Sequence, residues 1–135
     1  MSFPRISTFK TAPQFQQRLD DLKLDLPFDE ALRSGSGSPL EQPLASVCGR
    51  IGNRWCILPM EGWDGTTSGQ PTDLTRRRWR NFGLSGAKLI WGGEAVAVRP
   101  DGRANPNQLL INSETVGDLE ALRLILEQAH QEHIG

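Results

Sequence analysis

The chain has no tyrosine and only two cysteines, Cys48 and Cys56, among its 135 residues. Two cysteines are too few for a disulfide framework, and their spacing is not the CxxC of a metal or redox site. Ordinary thiols are expected, with Cys56 packed in the interior of a strand. Long apolar runs are also missing. Stretches such as Leu89-Ile90-Trp91 and Leu124-Ile125-Leu126 fall far short of the roughly 20 residues that span a bilayer, and the N-terminus carries no apolar leader core. A cytoplasmic chain is the expectation. Neither sign of charge dominates: 15 Lys and Arg stand against 16 Asp and Glu, so no global field draws the chain to nucleic acid or to an anionic membrane. What is present is an ordinary globular composition, 37% apolar and 23% charged, with room for about one domain.

Thr11-Ala12-Pro13 predicts a helix start, and Phe15, Leu19 and Leu22 continue it on one face to about residue 23. Ser34-Gly35-Ser36-Gly37-Ser38-Pro39 reads as a linker, so residues 1–43 are expected to form an extension and 44–135 the main body. Leu44-Ala45-Ser46-Val47 and Ile51 flank Cys48-Gly49-Arg50 as a small hairpin would.

Trp55-Cys56-Ile57-Leu58-Pro59-Met60 is continuously apolar, the pattern of an interior parallel strand buried on both faces. Pro59 has no N–H for a ladder, so the strand hands over there to a long loop, Glu61 to Gln70. Thr72-Asp73 then predicts a helix over 73–82, ended by Gly83. A second buried strand, Ala87 to Trp91, runs into Gly92-Gly93, which marks a bulge or a close backbone approach. After a turn-rich stretch, Ser113 is the expected N-cap of a last helix. Val116, Leu119, Leu122, Leu126 and Ala129 share its inner face beside Ile125, and Gly135 is its C-cap. The order strand, loop, helix, strand, loop, helix makes two β/α units with the longer loops after the strands. That is the grammar of a (β/α)8 barrel, of which eight units in about 250 residues make the whole.

The strand Asn53-Arg54-Trp55-Cys56-Ile57-Leu58-Pro59-Met60 resembles the opening strand of the Old Yellow Enzyme family of NADH:flavin oxidoreductases. The resemblance continues in order through Gly69-Gln70-Pro71-Thr72, a helix ending in Gly, Glu94-Ala95, the turn Val98-Arg99-Pro100-Asp101-Gly102-Arg103, and Ile111-Asn112-Ser113-Glu114. It covers residues 44–135 and implies the first two β/α units of a partial TIM barrel, preceded by a helical extension that has no counterpart in the family core. The resemblance further implies FMN as cofactor and NAD(P)H as electron donor. Pro59, Met60 and Glu61 would line the flavin from the first strand and Ala95 from the second. Glu61 departs from the family, which has Thr, Ser or Cys there, and Gly92-Gly93 is a second departure.

The family's third-strand Gln, its His pair for the substrate carbonyl, its proton-donating Tyr and its phosphate-binding Arg all fall on later strands. The isolated chain is therefore expected to have little or no activity. The competing expectation is a non-catalytic half-barrel, an interaction module completed by another chain or by self-association. A truncated product without an independent role is a third reading.

Several side chains carry two readings. Arg76-Arg77-Arg78 with Arg80 and Trp79 could suggest nucleic acid, but a solvated outer helix face fits the balanced charge better. His130 and His133 with Glu127 lack a third fixed metal ligand and read as the polar end of a helix. Glu61 and Glu94 could form an acid/base pair, but a glycosidase groove is more than two β/α units supply. Trp63 either lines a substrate pocket or caps the barrel mouth. Gly62, Gly65 and Gly69 match no dinucleotide fingerprint.

Overall fold

The computed structural model describes residues 4–47 and 49–134, with side chains through Glu132. The readings of Cys48, of the His133 side chain and of Gly135 as a cap lie outside the described residues. Within them the chain is mixed α/β, with three α-helices and two two-stranded sheets. No helix there is long and apolar enough to cross a membrane. The chain divides into one unit through Ser34 and another from Gly35.

The first unit is built on α1 (Ala12–Leu22). Thr11 caps it, its side chain accepting the Gln14 N–H at 3.4 Å, and Pro13 occupies the first turn, where a missing N–H costs nothing. Lys23 ends the helix in a left-handed conformation, φ 55°, returning its N–H to the Asp20 and Leu19 carbonyls. Leu19 is buried, and the Phe15 ring lies 6.0 Å from that of Phe9 and 5.0 Å from that of Phe28.

In the second unit two short 3-10 turns, Gly35–Gly37 and Pro39–Glu41, precede the expected hairpin. β1 (Leu44–Ser46) and β2 (Gly49–Ile51) are antiparallel, with Leu44 opposite Ile51. Then come β3 (Cys56–Ile57), α2 (Asp73–Leu84), β4 (Leu89–Ile90) and α3 (Val116–Ile134). β3 and β4 pair in parallel, Cys56 beside Leu89 and Ile57 beside Ile90, so the helix between them is a crossover. Asn53 aligns the two strand starts: its Nδ2 donates to the Gly86 carbonyl at 2.9 Å and its Oδ1 accepts the Lys88 N–H at 3.1 Å.

The strand from Trp55 is not buried on both faces, contrary to its pattern. Regular pairing covers only Cys56 and Ile57, and Cys56 is exposed rather than packed. The register explains this. Ile57 and Ile90 share the side toward the helices, and Ile90 lines a cavity with Trp79 and Leu126. Cys56, Leu58, Leu89 and Trp91 alternate to the opposite side. On that side Leu89 is half-buried, while Leu58 is 69% and Trp91 64% exposed. α2 and α3 pack on the Ile57–Ile90 side, and on the other side the strand ends, Leu58 and Trp91, keep most of their apolar surface exposed.

α2 also departs from its pattern. Thr72 caps it in a reciprocal box with Thr75, but the helix runs through Gly83 to Leu84 and turns at Gly86, φ 77°. Gly83 is instead where α3 crosses: a side chain there would run into the Leu126 carbonyl and lie 2.8 Å from the Ala129 Cβ. For α3 the capping side chain is Asn112, not Ser113. Its Oδ1 accepts the N–H of Glu114 at 2.8 Å and of Thr115 at 3.0 Å, and its carbonyl accepts the Val116 N–H. Trp79, Leu109 and Leu122 form the core, with Phe82, Val96, Leu119 and Leu126 packed on it. Val116, assigned to the buried face, is 52% exposed.

Candidate functional site

The C-terminal ends of the two parallel strands meet at a bulge. The Trp91 N–H donates to the Ile57 carbonyl at 2.9 Å, and the Ala95 N–H to the Met60 carbonyl at 3.2 Å. One more residue separates the second pair than the first, so the second strand carries one extra residue in this interval. Gly92 and Gly93 absorb it with φ of 71° and 62°. Gly93 lies flat against Trp79, whose ring would be 2.6 Å from any Cβ at that position. The glycine pair is thus both things its sequence suggested, a bulge and a close approach.

This bulge brings Met60 beside Ala95, two of the four residues assigned to a flavin. Pro59, Met60 and Glu61 are exposed, Met60 by 73%, and Ala95 is half-buried. Trp63 is 68% exposed on the same loop, its carbonyl accepting from Asn107 Nδ2 at 3.4 Å.

Beneath them lies a buried polar network that the sequence did not announce. The Glu94 side chain has no solvent exposure. Its Oε1 accepts the Gly62 N–H at 3.0 Å, and its Oε2 accepts from Arg78 at 2.7 Å and from Trp79 Nε1 at 3.4 Å. Arg78 also donates to both Asp64 oxygens, at 3.0 and 2.7 Å, a bidentate pair. That contact, the leading one, holds the Asp64 carboxyl below its ordinary value, and Asp64 in turn raises the Arg78 guanidinium above its own. The Asp64 carbonyl accepts from Thr72 at 2.5 Å and from Thr75 at 2.9 Å, which ties the loop to the first turn of α2.

Two amides from the later loop complete the network. Asn105 Nδ2 donates to the Gly62 carbonyl at 2.9 Å. Gln108 Nε2 donates to the Ala95 carbonyl at 2.8 Å, while its Oε1 accepts the Ala104 N–H at 2.7 Å. Both residues are buried. The segment that follows runs parallel to Ala97, which donates to the Leu109 carbonyl and accepts from Ile111, each at 2.9 Å. The signal for this short pairing is present in the sequence, since Leu109-Leu110-Ile111 after Asn105-Pro106-Asn107 has the form of a turn and a brief strand.

The remaining candidates sort by geometry. Glu61 and Glu94 do not form an acid/base pair, since Glu94 is buried with its oxygens occupied while Glu61 is exposed. Arg78 leaves the solvated face assigned to it and points into the network. Arg80 pairs with Glu132 at 2.9 Å on the outside. His130 engages both ring nitrogens, Nδ1 at 3.2 Å from the Gly83 carbonyl and Nε2 at 3.1 Å from Lys88 Nζ. Comparison with protein-family models and with curated proteins finds no match for this chain.

Proposed function

We propose that residues 44–135 are the first two β/α units of an Old Yellow Enzyme-like flavin barrel, and that Pro59, Met60, Glu61 and Ala95 form the strand-end side of an FMN ring site. The observation that supports this is the hydrogen bond between Met60 and Ala95. Residues chosen from two distant motifs lie side by side at the C-terminal ends of parallel strands, where barrels of this kind place their ligands. The residues suit a flat ring: Pro59 and Met60 present apolar surface, and the bulge presents backbone at close range. When bound, FMN supplies hydride transfer, from NAD(P)H to an activated alkene or similar acceptor, and the chain contributes orientation. Trp63 stands on the adjoining loop as a wall for that acceptor.

The bare apolar face favours a second reading for the isolated chain, that of a half-barrel completed by another chain or by self-association. Leu58, Met60 and Trp91 are each more than 60% exposed on or beside the parallel pair, a cost that a covering polypeptide removes. Under either reading the chain alone oxidises NAD(P)H slowly or not at all.

The test is a titration of the full chain with FMN and with lumiflavin, the ring without ribityl phosphate, read by flavin fluorescence and the visible absorption band. Comparable binding of both is expected, because the proposed residues address the ring alone. A flavin spectrum that the chain leaves unchanged counts against the proposal.

A further inference from the structure

Resting on the flavin-ring reading, we infer that Glu94, Asn105 and Gln108 are positioning residues that set the two peptide segments of the ring platform before any ligand arrives. The platform is made of backbone, and backbone at the end of a strand is ordinarily free to move, since its ladder stops there. Here it is held on every side. Gly62, which follows Pro59-Met60-Glu61, has its N–H taken by Glu94 at 3.0 Å and its carbonyl by Asn105 at 2.9 Å. Ala95 has its N–H taken by Met60 at 3.2 Å and its carbonyl by Gln108 at 2.8 Å. All three residues are buried, Glu94 at 4%, Asn105 at 5% and Gln108 at 6% exposure, so water competes little for these bonds.

The choice of side chains is specific. The three groups facing Glu94 are all donors, the Gly62 N–H, Arg78 and Trp79 Nε1, so an acceptor-only carboxylate fits and an amide of the same shape does not. Asn105 and Gln108 each need both ends of an amide. Asn105 donates to Gly62 and accepts the Asn107 N–H at 2.9 Å. Gln108 donates to Ala95 and accepts the Ala104 N–H. A Cβ at Gly62 would lie 2.5 Å from the Arg78 guanidinium and 2.6 Å from the Glu94 carboxylate, so a side chain there would displace both from the network. These bonds hold peptide groups that a ring would lie against, and none of the three side chains stands on the exposed surface, so their part is to position rather than to touch the ring.

The experiment uses the full chain and three near-isosteric variants, Glu94→Gln, Asn105→Asp and Gln108→Glu. Each keeps volume and removes the matching donor or acceptor. Amide hydrogen exchange at Gly62 and Ala95 is read without flavin, alongside thermal unfolding, and lumiflavin affinity is read separately. The expected result is slow exchange at both amides in the parent. Exchange at the nearer amide should be faster by about tenfold in Asn105→Asp and Gln108→Glu, with lumiflavin binding weaker by a similar factor and cooperative unfolding retained. Should Glu94→Gln fail to fold, the two amide variants decide the question. Unchanged exchange in both overturns the inference. Faster exchange with undiminished lumiflavin binding also overturns it, and leaves the flavin reading intact. A parent chain whose amides are protected but which leaves lumiflavin unaffected overturns the flavin reading, and the positioning role with it.

Discussion

The Arg78 guanidinium reaches Glu94 at 2.7 Å through the same Nη2 that serves Asp64, so one cation from α2 joins the loop after β3 to the bulge after β4. The Glu94 carboxylate is fully enclosed, and Arg78 is its ionic partner. Desolvating a carboxylate is costly unless a partner is in place, which makes this pair more consequential than the exposed Arg99–Asp101 and Arg123–Glu120 pairs on the surface.

Arg78→Met is therefore expected to destabilise the second unit by about 2–4 kcal/mol, because it leaves Glu94 buried without its cation. Arg80→Met, which removes only an exposed pair, should cost about 0.5 kcal/mol or less. Urea unfolding of the two variants in parallel measures the difference.

Acid should weaken the same junction. The folded Asp64 carboxyl lies below its ordinary value of 3.8, chiefly through the hydrogen bond from Arg78. A depressed carboxyl contributes stability that is complete above the unfolded value and is lost as pH falls through the folded one. Unfolding midpoints should hold steady above that ordinary value and fall below it. Asp64→Asn should flatten the acid limb while lowering stability at neutral pH.

The two bulge glycines should respond unequally. Gly92 has the left-handed φ but its nearest neighbour to an added Cβ is 3.7 Å away, whereas Gly93 combines that φ with the Trp79 ring at 2.6 Å. Gly92→Ala should cost about 1 kcal/mol and Gly93→Ala about 3. Tryptophan fluorescence should shift in the second variant alone, as Trp79 is displaced.

Leu58→Glu and Trp91→Glu change residues that the fold leaves bare, so neither should lower the unfolding midpoint by more than a few tenths of a kcal/mol in free energy. Both should reduce self-association in sedimentation velocity, the behaviour that an uncovered apolar sheet face drives. Loss of stability without any change in association would show that this face is covered within the chain.

Much of the local structure was legible. Thr11 and Thr72 cap helices because their side chains match the free N–H groups of a first turn, a demand that depends on a few neighbouring residues only. Regular pairing stops at Ile57, short of Pro59, in keeping with a residue that has no N–H for a ladder. Gly83 does not end α2 because its purpose is not local: it clears a path for α3, and a glycine that admits a crossing helix looks in sequence like one that ends its own. The cap of α3 falls one position before Ser113 because Asn112 offers the same chemistry one residue earlier.

What the sequence by itself determined was the succession of elements and the parallel pairing, since periodicity and capping are properties of neighbours along the chain. The tertiary structure alone decided which side of the parallel pair is covered and which is bare. It alone turned Arg78 inward and assembled Asp64, Arg78, Glu94, Asn105 and Gln108 from four separate stretches into one network. Those contacts join residues far apart in the chain, and what selects them is the need of each buried donor and acceptor for a partner, which appears only once folding has removed the water.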